Sequence, residues 1–141
     1  MPISPIPKST SARSRHTLRV LAIDDDSFQL DLLAELLRGM DISDITGVTS
    51  GADAMQKVVA KPDGFGLILM DLHMPGMDGF AFMEGLAKAK YTGSVVIVSG
   101  QSEDVLRGAS LVARLRRFTL LGALAKPVQP AALARLLAPL F

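Results

Sequence analysis

Cysteine is absent from the 141 residues. That excludes disulfides, thiolate metal sites and a cysteine nucleophile. With two histidines and no thiol, the chain is also poorly supplied for a Zn²⁺ centre. No apolar run approaches the roughly 20 residues of a membrane span, and the N-terminal segment lacks a signal-peptide core. We therefore expect no membrane partner and a cytoplasmic location. Phosphate-binding glycine motifs are missing as well. There is no G-x-x-x-x-G-K-[ST], and no G-x-G-x-x-G follows a strand-like run. Internal repeats are not evident.

What is present suits one compact domain, since 49% of the residues are hydrophobic and a chain of this length can bury a sizeable core. Residues 1–17, MPISPIPKSTSARSRHT, stand apart. They are rich in proline, serine and basic residues, show no apolar period, and read as a flexible tail. The domain proper is expected to span 18–141. Lys8, Arg13 and Arg15 put three of the fifteen lysines and arginines in the tail, whereas all fourteen acids lie beyond it. From Leu18 onward the balance is 12 − 14 = −2, so nothing calls for a nucleic-acid partner.

Apolar runs and helical periods alternate along this domain. LRVLAI (18–23), GLILMD (66–71), SVVIVSG (94–100) and LLGALAK (120–126) read as strands, and ITGVTS (45–50) as a weaker one. Continuous aliphatic runs of this kind suit strands buried on both faces. Between them, Leu30, Leu33, Ala34 and Leu37 keep helical spacing, with a stop at Gly39. Ala52 to Ala60 is a second helix, ended by Pro62. Phe80, Met83 and Ala87 mark a third, Val105, Ala109, Val112 and Arg116 a fourth. Leu133, Leu136, Leu137 and Leu140 close the chain. Alternating strands and crossover helices argue for an α/β fold: a doubly wound, five-stranded parallel sheet with helices on both faces.

In such sheets ligands bind beyond the carboxyl ends of the strands, and the polar residues collect there. The first strand ends in Asp24, Asp25 and Asp26, the third in Asp71, the fourth in Ser99 and the fifth in Lys126. At an effective dielectric near 20, each pair of like charges at 4 Å costs about 4 kcal/mol. Such a group either raises a pKa or binds a hard dication. Oxygen donors without sulfur suit Mg²⁺. An ammonium and a hydroxyl beside the metal suit an anion such as a phosphoryl group.

IDDDS, LILMDLHMPGMDG, VIVSG and AKP, in this order, resemble the signatures of two-component response-regulator receiver domains from about Leu18 to the C-terminus. The resemblance implies the (βα)5 flavodoxin-like receiver fold and assigns roles to the edge residues. Asp71 is then the phospho-acceptor. Asp25 binds Mg²⁺ directly, Asp24 largely through a water, and Asp71 and the backbone carbonyl of His73 complete the protein ligands. Ser99 and Lys126 contact phosphoryl oxygens, helped by the N–H groups of Leu72 and Gly100. The donor is a phosphohistidine on a sensor histidine kinase or histidine phosphotransfer protein, and the product is a changed surface read by an output domain or effector. No turnover is expected beyond phosphorylation and dephosphorylation at Asp71. A cis Lys126–Pro127 peptide is also implied.

Other residues of these motifs have local duties. Asp26 and Asp78 suit helix N-termini, and Pro75 and the glycines of MPGMDG (74–79) suit a turn. His73 and Gln101, each two beyond a key residue, sit where family members tune hydrolysis. Arg114, Arg116 and Arg117 read as a solvated helix end.

The chain departs from the family in having Ala123 where Tyr or Phe often stands, three residues before the lysine. Its stretch from Ser99 to Lys126 resembles receivers found ahead of EAL-type cyclic di-GMP phosphodiesterase domains. Two rivals remain on the sequence. A haloacid-dehalogenase-like phosphatase would use Asp24 in D-x-D-x-[TV], but Phe28 occupies the Thr/Val place and no later acidic motif comes after Lys126. A phosphorylation-independent pseudo-receiver would have lost an acid, hydroxyl or lysine, and none is lost.

Overall fold

The computed structural model describes residues 14–74, 76–99 and 118–141. In chain order the elements are β1 (Arg19–Ile23), α1 (Ser27–Arg38), β2 (Asp44–Val48), α2 (Gly51–Ala60), β3 (Leu67–Met70), two short strands β4 (His73–Met74) and β5 (Met77–Asp78), α3 (Gly79–Lys88), β6 (Ser94–Ser99), β7 (Thr119–Ala125) and α4 (Pro130–Leu137). A 3-10 turn, Ala138–Leu140, ends the chain's ordered elements. The expected fourth helix lies outside the described residues, as do Gly100, Gln101 and the arginines at 114, 116 and 117. No described helix is long and apolar enough to cross a membrane.

Among the described residues the main sheet has five strands in the order β2-β1-β3-β6-β7, all pairing in parallel. The α/β architecture read from the sequence is therefore the observed one. Chain order reverses at β1, whose neighbours are β2 and β3. That reversal opens a crevice at the carboxyl ends of β1 and β3.

Successive strand residues face opposite sides, and both sides are covered. Leu21, Ile23, Ile68, Met70, Val95 and Ile97 pack with Ala54 and Val58 of α2 and with Phe82, Met83 and Leu86 of α3. Val20, Leu67, Leu69, Val96 and Val98 pack with Leu33 and Leu37 of α1 and with Leu133 and Leu137 of α4. Each fully buried aliphatic side chain contributes about 1.5–3 kcal/mol of transfer free energy. The two layers hold β1, β3 and β6 as a rigid platform.

Local signals explain the boundaries. Asp26 and Asp78 cap α1 and α3 by accepting from Phe28 N and Phe80 N, each at 2.9 Å. Ser50 caps α2 through Asp53 N at 3.1 Å. Gly39 is the C-cap of α1 but keeps right-handed angles. The left-handed residue is instead Asp41 (φ 66°), after which Ile42 N reaches back to Leu37 O at 3.0 Å. That bond and the burial of both side chains close the helix in Schellman fashion. Residues 14–17 form a turn, with the Arg15 guanidinium 4.2 Å from the centre of the Phe141 ring.

The pairing of β6 with β7 contains a bulge. Val95 pairs with Leu120, but Val96 pairs with Gly122. The extra residue shifts the alternation, so that Leu120 and Ala123 both face the α2–α3 layer, while Leu121 and Leu124 face the α1–α4 layer. A bulge keeps both layers filled at an edge strand and twists that edge.

Candidate functional site at the carboxyl edge of the sheet

Each acidic strand end is held in place by a neighbouring strand. Asp24 N donates to Val48 O at 3.2 Å, and Asp71 N donates to Ile23 O at 3.0 Å. The two carboxylates thus sit side by side just past β1 and β3, both almost wholly buried. Ser99 ends β6 and is buried too. Lys126, just past β7, is tied in by its N–H to Ser99 O at 3.3 Å. The Lys126–Pro127 peptide is cis, as the resemblance implied.

The Lys126 ammonium joins the two buried acids. Its Nζ lies 2.9 Å from Asp24 Oδ2 and 3.0 Å from Asp71 Oδ2. Burial alone would lower the pKa of this amine, but hydrogen bonds to Asp24 and Asp71, together with their charges, more than offset it, and the pKa lies above the ordinary 10.5. The lysine is therefore a fixed positive charge at neutral pH.

The aspartate triplet divides. Asp24 turns inward, and its Oδ1 also accepts from Asp26 N at 2.9 Å. Asp25 is exposed, yet it contributes an oxygen to a cluster with Asp24 and Asp71 in which the donor atoms lie within 4.8 Å of one another. Asp26 caps α1 and does not join that cluster. Three carboxylates against one ammonium leave two negative charges, 3 − 1 = 2, among the described groups of the cluster. An all-oxygen donor set with a formal deficit of two charges fits a hard divalent cation such as Mg²⁺.

The structure thus brings Asp24, Asp25, Asp71, Ser99 and Lys126 to one edge of one sheet, and His73 lies two residues beyond Asp71. The shape of the chain just past Asp71 was not legible in the sequence. Within and beside the stretch 74–79, read as a turn, the described residues form a two-rung antiparallel ladder, His73 with Asp78 and Met74 with Met77, while Pro75 lies outside the described residues. The visible signal was the glycine at 76, which takes φ 76°.

Comparison with known proteins agrees with this geometry. A protein-glutamate methylesterase/protein-glutamine glutaminase of Myxococcus xanthus is 35% identical over 89 residues, covering 62% of this chain and 25% of that protein. The two-component response regulator ORR22 of Oryza sativa subsp. indica is 33% identical over 92 residues, 64% of this chain and 13% of that protein. The matched region therefore spans a quarter or less of these two relatives. A CheY-like response regulator receiver domain from Methylobacillus flagellatus superposes with a TM-score of 0.71 at 26% identity, covering 88% of this chain and 98% of that one. The profile of the response regulator receiver domain matches residues 20–138, a span that contains every strand-end residue of the site. With that match and the lysine-bridged acidic edge together, the chain belongs to the response regulator receiver domain family of two-component signalling.

Proposed function

We propose that Asp71 is the phospho-acceptor of this receiver and that Mg²⁺ is its cofactor. The observation that carries the proposal is the Lys126 ammonium held between Asp24 and Asp71 at 2.9 and 3.0 Å. It fixes the orientation of the Asp71 carboxylate and supplies a positive charge where phosphoryl oxygens would arrive. A carboxylate oxygen of Asp71 attacks the phosphorus of a phosphohistidine. The P–N bond breaks, the imidazole leaves with the electron pair, and an acyl phosphate remains on Asp71. Lys126 and the Ser99 hydroxyl, on adjacent strand ends, take two of the phosphoryl oxygens. Asp24, Asp25, Asp71 and the backbone carbonyl of His73 would hold the Mg²⁺, which when bound offsets the charge of the phosphoryl oxygens.

The donor in this reading is a sensor histidine kinase or a histidine phosphotransfer protein in the cytoplasm. The phosphorylated surface acts on an output domain or effector, for which an EAL-type phosphodiesterase domain is the sequence-based suggestion. Residues 1–17 serve as a tail to the receiver domain, 18–141.

Labelled acetyl phosphate with Mg²⁺ tests the assignment. Label should appear on Asp71 and vanish in Asp71→Asn. Label on Asp24 would favour phosphatase-like chemistry, and no label on the wild type would favour a phosphorylation-independent adaptor.

A further inference from the structure

Gly79 opens α3 directly beside the segment that carries the acceptor. Its backbone is not left-handed, so conformational freedom is not what requires glycine here. Space is. A Cβ at position 79 would lie 2.4 Å from Leu72 Cδ2, 3.1 Å from Leu72 Cα and 3.2 Å from Leu72 O. The first contact is with the end of a side chain, but the other two are with the main chain next to Asp71. Leu72 is itself buried, so it has little room to withdraw.

The surrounding bonds turn this contact into a closure. Asp71 N is tied to Ile23 O, His73 pairs with Asp78, and Asp78 caps α3 through Phe80 N. Gly79, at the start of α3, therefore seats against the main chain of Leu72, the residue that follows Asp71. We propose that Gly79 is a positioning residue for phosphoryl acceptance. By lacking a side chain it lets α3 dock on the Leu72 backbone, and this sets the Leu72 N–H and the His73 carbonyl relative to the Asp71 carboxylate. The inference rests on Asp71 being the acceptor.

A purely structural role predicts something different. Alanine is the better helix former, so a glycine needed only for helix α3 would be improved by replacement. A displacement of a few tenths of an ångström in a positioned reacting group lowers rate without unfolding the domain. The test compares wild type, Gly79→Ala and, as a control far from the site, Gly39→Ala, whose added Cβ would meet nothing closer than 3.4 Å. Thermal melting and the rate of Asp71 labelling by acetyl phosphate are measured across a Mg²⁺ titration.

Gly79→Ala should melt below the wild type, as overpacking against Leu72 requires, yet stay folded at the assay temperature and label about tenfold more slowly there, with Gly39→Ala labelling normally. Wild-type labelling in Gly79→Ala would overturn the inference. If Gly79→Ala does not fold, the pair Leu72→Ala and Leu72→Ala/Gly79→Ala replaces it, because removing Cδ2 relieves the closest overlap and leaves the main-chain contacts. The double variant should label about tenfold more slowly than Leu72→Ala, and equal rates would overturn the inference. Absence of label on the wild type would instead remove the acceptor assignment of Asp71.

Discussion

Asp24, Asp25 and Asp26 are chemically identical, yet their backbone positions give them three environments. Asp24 lies against an ammonium and a backbone N–H, Asp25 is exposed at the rim of the acidic cluster, and Asp26 closes the first turn of α1. Substitutions should separate them. Asp25→Asn should weaken Mg²⁺ binding by roughly tenfold or more, about 1.4 kcal/mol per decade, with little change in melting. Asp26→Asn should leave Mg²⁺ affinity near wild type, because asparagine caps as well as aspartate. Asp26→Ala should cost about 0.5–2 kcal/mol of stability. Isothermal titration with Mg²⁺ and urea unfolding measure the two effects, and equal losses of affinity from Asp25→Asn and Asp26→Asn would show that the triplet is divided differently.

Among the elements, β7 is where the sequence conceals most. A run such as LLGALA looks like an ordinary buried strand, and period 2 applied without interruption would put Leu120 and Gly122 on one face. The bulge places Ala123 with Leu120 instead. Gly122 makes this possible by taking φ 153°, and a Cβ there would meet Leu136 Cδ2 of α4 at 2.8 Å. Gly122→Ala should therefore destabilise the domain by about 1–3 kcal/mol, lowering the urea midpoint without changing the slope. An unchanged midpoint would mean that the edge strand accepts a regular register. Helix α3 has a similarly tight place at Gly79, but there the neighbour is Leu72, just past Asp71.

At the scale of the whole molecule, a five-stranded platform covered on both faces carries an edge where, among the described residues, three clustered carboxylates meet one ammonium. Carboxylates held together by folding repel one another, and a cation that binds the folded state offsets that repulsion. Mg²⁺ at about 100 times its Kd should add about 2.7 kcal/mol of stability, a rise on the order of 10 °C in melting temperature for a domain of this size. At the same Mg²⁺ concentration, tenfold weaker binding in Asp25→Asn should cut the gain to about 1.4 kcal/mol, roughly half the wild-type rise. Scanning calorimetry with Mg²⁺, and with matched NaCl as an ionic-strength control, measures it. No rise beyond the NaCl control would argue against a metal site at this edge.

The sequence by itself determined the order of the five main strands and of the helices among the described residues, the parallel sheet, the two capping aspartates and the identities of the polar strand ends. These come from patterns a few residues long: aliphatic runs, helical spacing, an acid before a helix. A parallel sheet then sends every such strand end to one side, which is why Asp24, Asp71, Ser99 and Lys126 were legible as one group. Only the tertiary structure decided how the group is wired. The lysine's simultaneous contact with Asp24 and Asp71 joins residues 102 and 55 positions apart. The ladder after Asp71, the bulge at Gly122 and the seat of Gly79 on Leu72 likewise depend on distances between segments. Local pattern names the groups that a strand end presents, but packing between layers sets where they stand to within tenths of an ångström, and phosphoryl transfer responds to that scale.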